Sequence, residues 1–275
     1  MKNKKLVAII CCAAVIALLA AAYFIFFNKP AKINGGKFTM GIDPEYPPFS
    51  YIGDDGEYTG FDVEICKAAC EKLGLDFQIF AVNWDQKLVQ MDSKECDCIW
   101  SGMTILPSMT EAGYVISKPY FDNTQVIVVK TDSTIAGPAD LEGKVVAVQN
   151  GTSAFKMVSE GGDQEALGKT FASLTTPESY NTCFAELDGG AVDAVIVDQP
   201  VALDQIKKNA NLKILDGDLG SEQYGIAFRS GDAELCAKIE EAVAELVKDG
   251  TYAKIASKDA YKDITNNLIF LNDAK

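Results

Sequence analysis

The sequence has no histidine and one arginine, Arg229. Without histidine, Ser101 and Ser153 lack the imidazole base that a serine hydrolase needs. A zinc centre would have to do without imidazole ligands, so no metal or cofactor is expected. With one arginine and a net charge of −14, nucleic-acid binding is not expected either. Only one long uncharged apolar run is present, Leu6–Phe27, preceded by Lys2, Lys4 and Lys5. As a helix it would be about 33 Å long, enough to cross a bilayer. Ala20 and Ala22 offer a small-residue cleavage site, but Tyr23–Phe27 continue the run beyond it. Residues 1–28 therefore read as an uncleaved membrane anchor, with a cleaved signal sequence as the alternative. The lysines would hold the N-terminus inside and place the remainder on the extracytoplasmic face. Cys11 and Cys12 lie too early in the run for a lipoprotein site.

Without those three lysines the charge becomes −17, and most of it is expected on a solvated face that favours solubility. Six cysteines lie beyond the run: Cys66, Cys70, Cys96, Cys98, Cys183 and Cys236. Cys66 and Cys70 are four apart on an expected helix, and Cys96 and Cys98 two apart on an expected strand. Neither spacing gives the Cβ approach of about 3.8 Å that a disulfide wants. The expectation is buried free thiols, with a cross-pair between the two elements as the alternative.

Residues 29–36 read as a polar linker with Pro30, Gly35 and Gly36. Strands are then expected at 38–43, 76–82, 96–100 and 125–129, with helices at 61–73 and 85–91 between them. Phe61, Ile65, Ala69 and Leu73 give the first helix its apolar face, and Gly74 ends it. The pattern restarts with strands at 145–149, 172–174, 192–197, 212–215 and 224–228. Helices are expected at 177–187, 200–209 and 232–248 among them. Alternating strands and helices imply parallel α/β sheets. Ligands bind such sheets beyond the carboxyl ends of their strands. That rule selects the residues after Ile42, Trp100, Gln149 and Val197.

Several motifs carry a resemblance. Gly41-Ile42-Asp43-Pro44-Glu45-Tyr46-Pro47-Pro48-Phe49 is followed by Thr59-Gly60-Phe61-Asp62 and by Asp97-Cys98-Ile99-Trp100-Ser101-Gly102-Met103-Thr104. Ser117-Lys118-Pro119-Tyr120, Asp140-Leu141-Glu142-Gly143-Lys144, Gly151-Thr152-Ser153, Val192–Asp198 and Tyr224-Gly225-Ile226-Ala227 complete the order. Each is weak alone. Together, from Phe38 to about Ala256, they resemble the amino-acid-binding family of bacterial ABC-transporter solute-binding proteins. The resemblance implies an α/β fold of two lobes, of the type II periplasmic-binding-protein kind, joined by two hinge crossings. It implies lobe 1 at 37–129, lobe 2 at 130–220 and a return to lobe 1 at 221–275. It further implies a monomer that closes its cleft on an amino acid or related small molecule and presents it to an ABC permease.

In that family an aspartate after a strand of the second lobe takes the ligand's ammonium, a place held here by Asp198. A helix N-cap is the plainer reading of Asp198. Asp43 adds negative charge, and Tyr46 and Phe61 are candidate aromatic walls. Ser101, Gly102 and Thr104 belong to the expected ligand loop. The family's carboxylate-binding arginine is replaced by Met109, and Arg229 reads as a surface residue. Backbone N–H groups at Thr104 and Ser153, with the Thr152 and Ser153 hydroxyls, remain as anion donors. Lys118 and Lys156 are weaker candidates. Weaker or altered carboxylate recognition is expected. Two alternatives are a dehydratase-like enzyme on the same fold and a binding subunit for a separate receptor. Missing histidine and arginine count against the enzyme.

Overall fold

A computed structural model describes residues 33–272 of the chain. The expected anchor, residues 1–28, lies outside the described residues. Among those described, no helix is long and apolar enough to cross a membrane.

Strand β1 (Lys37–Ile42) leads into a small hairpin sheet of β2 (Glu45–Tyr46), β3 (Ser50–Ile52) and β4 (Tyr58–Thr59). Helix α1 (Phe61–Leu73) follows, with Phe61, Val63, Ile65, Cys66, Ala69 and Cys70 buried. Burying such side chains stabilises the fold by about 1.5–3 kcal/mol each for the larger ones. Gly74 ends the helix at φ 66°, a left-handed conformation that glycine adopts without steric cost. Then come β5 (Asp76–Ala81), α2 (Lys87–Asp92), β6 (Cys98–Thr104), α3 (Pro107–Glu111), β7 (Val115–Ile116) and β8 (Phe121–Lys130). The second series is β9 (Val145–Ala147), α4 (Ser153–Val158), β10 (Ser173–Thr175), α5 (Tyr180–Gly189), β11 (Ala194–Asp198), α6 (Gln199–Lys208), β12 (Leu212–Ile214) and β13 (Gly220–Phe228). Helices α7 (Ala233–Lys248) and α8 (Thr251–Ala256) return against α1.

The main sheet runs β10-β9-β11-β8-β13-β6-β1-β5, with β12 on β8 and β7 on β13. Within each end the pairing is parallel: β1 with β6, and β9 with both β10 and β11. The middle is antiparallel, so the sheet is mixed rather than wholly parallel. β8 pairs with β13 through residues 121–125, then with β11 through residues 125–128. β13 pairs onward with β6. These two long strands are shared by both lobes. They extend beyond the apolar segments expected at 125–129 and 224–228, because Phe121–Thr124 and Gly220–Gln223 form their own ladder.

Two further expectations are corrected. Helix α5 starts at Tyr180 rather than at Pro177, because the Ser179 hydroxyl accepts the Thr182 N–H and caps it there. Arg229 is not a surface residue. Its guanidinium donates to the carbonyls of Met91 (2.9 Å) and Cys96 (2.6 Å) and pairs with Asp97 and Asp232. It ties the end of α2 to the start of β6. All six described cysteines are free and buried, as their spacing implied.

Candidate functional site

The cleft forms where the carboxyl ends of β1, β6, β9 and β11 converge on the two shared strands. Asp43 follows β1 and is buried. Its carboxylate accepts the Glu45 N–H (2.8 Å) and the Gln149 side-chain amide (2.8 Å) from the opposite wall. Burial raises its pKa above the ordinary value. Ser101 braces this loop from beneath: its hydroxyl accepts the Asp43 N–H and hydrogen-bonds Ser50 at 2.6 Å. Gly102 has φ 56°, and a Cβ there would lie 2.2 Å from Tyr46 Cε1. Only glycine lets Tyr46 lie across β6 at this point. The Gly102 N–H donates to Asp62 (3.0 Å), which also accepts the Tyr120 hydroxyl (2.6 Å). Asp62 is fully buried, which pushes its pKa up to about 7.

Asp198 is the last residue of β11 and is buried. Its side chain makes no capping bond to α6, so the plain N-cap reading does not describe it. Its Oδ1 accepts Tyr224 (2.7 Å), Asn123 (2.7 Å) and Gln125 (2.6 Å), and its Oδ2 accepts Tyr180. Tyr224 in turn meets Tyr46 at 2.6 Å between hydroxyls. Burial, reinforced by the Asp198 charge, holds the hydroxyls of Tyr46 and Tyr180 well above the usual phenol range. They stay protonated.

Behind Asp198 stands a second carboxylate. Glu222 of β13 lies opposite Asn123 of β8. It accepts from the same two amides, Asn123 and Gln125, each at 2.8 Å. Ser153 also hydrogen-bonds it. Burial and the Asp198 charge push Glu222 up to about 7.

The inner end of the cleft is a small cavity of about 20 Å³, lined by residues that include Asp43, Tyr46, Gly102, Thr104, Gln149, Ser153, Tyr180 and Asp198. Thr152 lines it too, but its hydroxyl donates to Gln149 O and accepts the Phe155 N–H, capping α4. A second cavity of about 260 Å³ shares Trp84, Thr104 and Ser153 with the first. Met109, Lys87 and Lys156 line this outer cavity. Met109 is buried, packed in an apolar cluster with Met103 and Trp84. Lys87 lies 4.5 Å over the Trp84 ring and donates to Trp84 O (2.9 Å) and Gly151 O (2.8 Å). Burial lowers its pKa to about 8. The two walls touch at Gly151, where a Cβ would lie 2.7 Å from Asp85 Cα.

The structure thus brings Asp43, Tyr46, Gly102, Thr104, Thr152, Ser153 and Asp198 to one inner cavity and Met109 to its neighbour. Ser101 sits beneath the loop. Phe61 lies elsewhere, edge-on to Tyr252 and Tyr261, on an apolar cavity beside α1 and α7. Lys118 lines that apolar cavity as well. Sequence reasoning did not select Glu222, Asn123, Gln125, Tyr180 or Lys87.

The description "Bacterial extracellular solute-binding proteins, family 3" fits residues 38–259. The L-cystine-binding protein TcyJ of Escherichia coli (strain K12) is 34% identical, over 84% of this chain and 85% of that one. An ancestral arginine-binding protein bound to arginine is 35% identical with a TM-score of 0.73, over 80% of this chain and 96% of that one. The ancestral amino acid-binding protein AncCDT-1, a precursor of cyclohexadienyl dehydratase, is 32% identical with a TM-score of 0.72, over 82% and 96%. A two-lobe α/β fold, a cleft on its hinge strands and likeness across most of each relative's length make this chain a member of family 3 of the bacterial extracellular solute-binding proteins.

Proposed function

We propose that the chain captures an amino acid in this cleft and hands it to an ABC importer. The observation that carries the reading is the charge of the inner cavity. Asp43 and Asp198 line it, Glu222 backs it, and no lysine or arginine lines it among the described residues. Buried anions without a cation are costly, and a ligand ammonium relieves that cost. Tyr46 and Tyr180 supply aromatic walls, their ring centroids 5.9 Å apart. Relatives that bind cystine and arginine support an amino acid as the ligand class.

Capture proceeds by closure. Lobe 1 is 37–129, lobe 2 is 130–220, and the chain returns to lobe 1 at 221–275. Ligand bound between the walls favours the closed form, in which Gln149 reaches Asp43 and Lys87 reaches Gly151. The permease reads that form. The protein acts as a monomer on the extracytoplasmic face, held by residues 1–28 with 29–36 as linker.

Thermal unfolding against amino acids, their amides, polyamines and short peptides tests the reading. A ligand at a thousandfold excess over its dissociation constant adds about 4 kcal/mol. At roughly 2–4 °C per kcal/mol, the melting temperature rises by about 8–16 °C. A large shift with one or a few amino acids is expected. No shift with any amino acid would overturn it.

A further inference from the structure

The two neighbouring cavities of the cleft differ in sign. The inner one is lined by Asp43 and Asp198, and the outer one by Lys87 and Lys156. No acidic residue lines the outer cavity among the described residues. Met109, which stands where a carboxylate-binding arginine was expected, is part of its wall. The missing cation is therefore not missing from the space, only from that position.

We propose that Lys87 and Lys156 form the anion subsite of the cleft and receive the ligand's carboxylate in the outer cavity. The inference rests on the reading of the cleft as an amino-acid site and adds which residues determine recognition of the acid group. Lys87 is the stronger of the two. It is only 8% exposed, and its ammonium spends two of its three protons on the carbonyls of Trp84 and Gly151. One proton remains for a ligand oxygen. Its position is fixed by those two bonds and by the Trp84 ring beneath it, so little ordering is left to do on binding. Lys156 comes from α4 on the opposite wall, and its ammonium reaches Ser108 at 3.3 Å across the mouth. A carboxylate between them would be held from both lobes, which links anion recognition to closure. Asp43 and Asp85 lie near enough to Lys87 to favour its charged form, and neither lines the outer cavity.

The shared edge of the two cavities, at Trp84, Thr104 and Ser153, sets the order of the ligand's charges. The ammonium faces the acids inside and the carboxylate faces the lysines outside. A reversed ligand would meet like charge at both ends.

Calorimetry of L-arginine and L-argininamide with the full chain and with its Lys87→Met and Lys156→Met variants is the test. The wild type should bind the acid at least about tenfold more tightly than the amide, as expected for a charge-assisted hydrogen bond. Lys87→Met should bring that ratio towards one; loss of its bond to Gly151 weakens acid and amide by a common factor that cancels in the ratio. Lys156→Met, at an exposed residue whose removal spares the core, should lower the ratio less. A lysine that served only packing or closure would weaken acid and amide alike. An unchanged ratio in both variants, or an amide bound as tightly as the acid by the wild type, would overturn the inference and leave the amino-acid reading standing. If neither compound binds the wild type, and L-histidine and L-cystine also fail, the amino-acid reading falls and this inference with it.

Discussion

Asp62 and Asp198 are both buried acids in hydrogen-bond networks, but their surroundings have opposite consequences. Asp62 sits within the β6 side of the molecule, between the Gly102 N–H and the Tyr120 hydroxyl. Its partners are a backbone group and a tyrosine, and they hold one loop in place. Asp198 sits where β11 meets the shared strands, and its amide donors are already divided with Glu222. Two carboxylates compete for two amides there, with no lysine or arginine on the inner cavity wall among the described residues. In the first network both donors reach the same oxygen, Asp62 Oδ2, and Asp62 does not line the cleft cavity. The second carries more negative charge than it can neutralise, which is a reason for a cation to bind and for the hinge to respond.

The sharpest way to separate the two is to remove each charge without changing shape. Asp198→Asn should cost ligand affinity about a hundredfold or more, in line with the roughly 2–5 kcal/mol lost when a buried charge pair loses one partner. Asp62→Asn should raise stability at pH 8, where the buried charge costs the fold most, while leaving affinity within a few-fold. Calorimetry and urea denaturation on both variants give the contrast. Equal effects on affinity would merge the two regions into one.

A smaller effect is expected at the contact between the Asp62 loop and the cleft. Gly102→Ala puts a side chain at φ 56° and against Tyr46. It should destabilise the fold by about 1–3 kcal/mol, read from the urea midpoint.

Both networks should show in the pH profile. Asp62 and Glu222 titrate near 7 in the folded protein, above their ordinary values of 3.8 and 4.5. Between those limits the folded state binds more protons than the unfolded chain, so stability falls as pH rises from about 4 to 7. Glu222→Gln and Asp62→Asn should each flatten part of that slope in urea unfolding at pH 5 and 8. The smallest expected effect is that of reductant. With six buried free thiols, dithiothreitol should move the melting temperature not at all.

The fold and much of the cleft were legible because the informative signals are local. Gly102 and Asp198 each stand at the end of an apolar strand, where ligand loops of an α/β sheet begin. The hinge was not legible in the same way. Phe121–Thr124 and Gly220–Gln223 have no apolar period: Asn123 donates to Glu222 across the ladder, while Asp122, Ser221 and Gln223 are exposed. Glu222 becomes meaningful only when the register sets it opposite Asn123. Lys87 is one lysine among many until its ammonium is seen reaching Gly151 from the other wall. Phe61 illustrates the opposite limit: a motif residue whose helical spacing already marked it as packing, and which packs on Tyr252 and Tyr261.

The central claim is that the ligand's positive charge comes to rest beside the Asp198 and Glu222 pair. Proton exchange on binding tests it most directly. L-arginine is titrated into the protein at pH 7 in two buffers of different ionisation enthalpy. A cation beside Glu222 lowers its pKa from about 7, so binding should release a fraction of a proton. Glu222→Gln should abolish that release while still binding. Binding by the wild type without proton release, or release that persists unchanged in Glu222→Gln, would contradict the account.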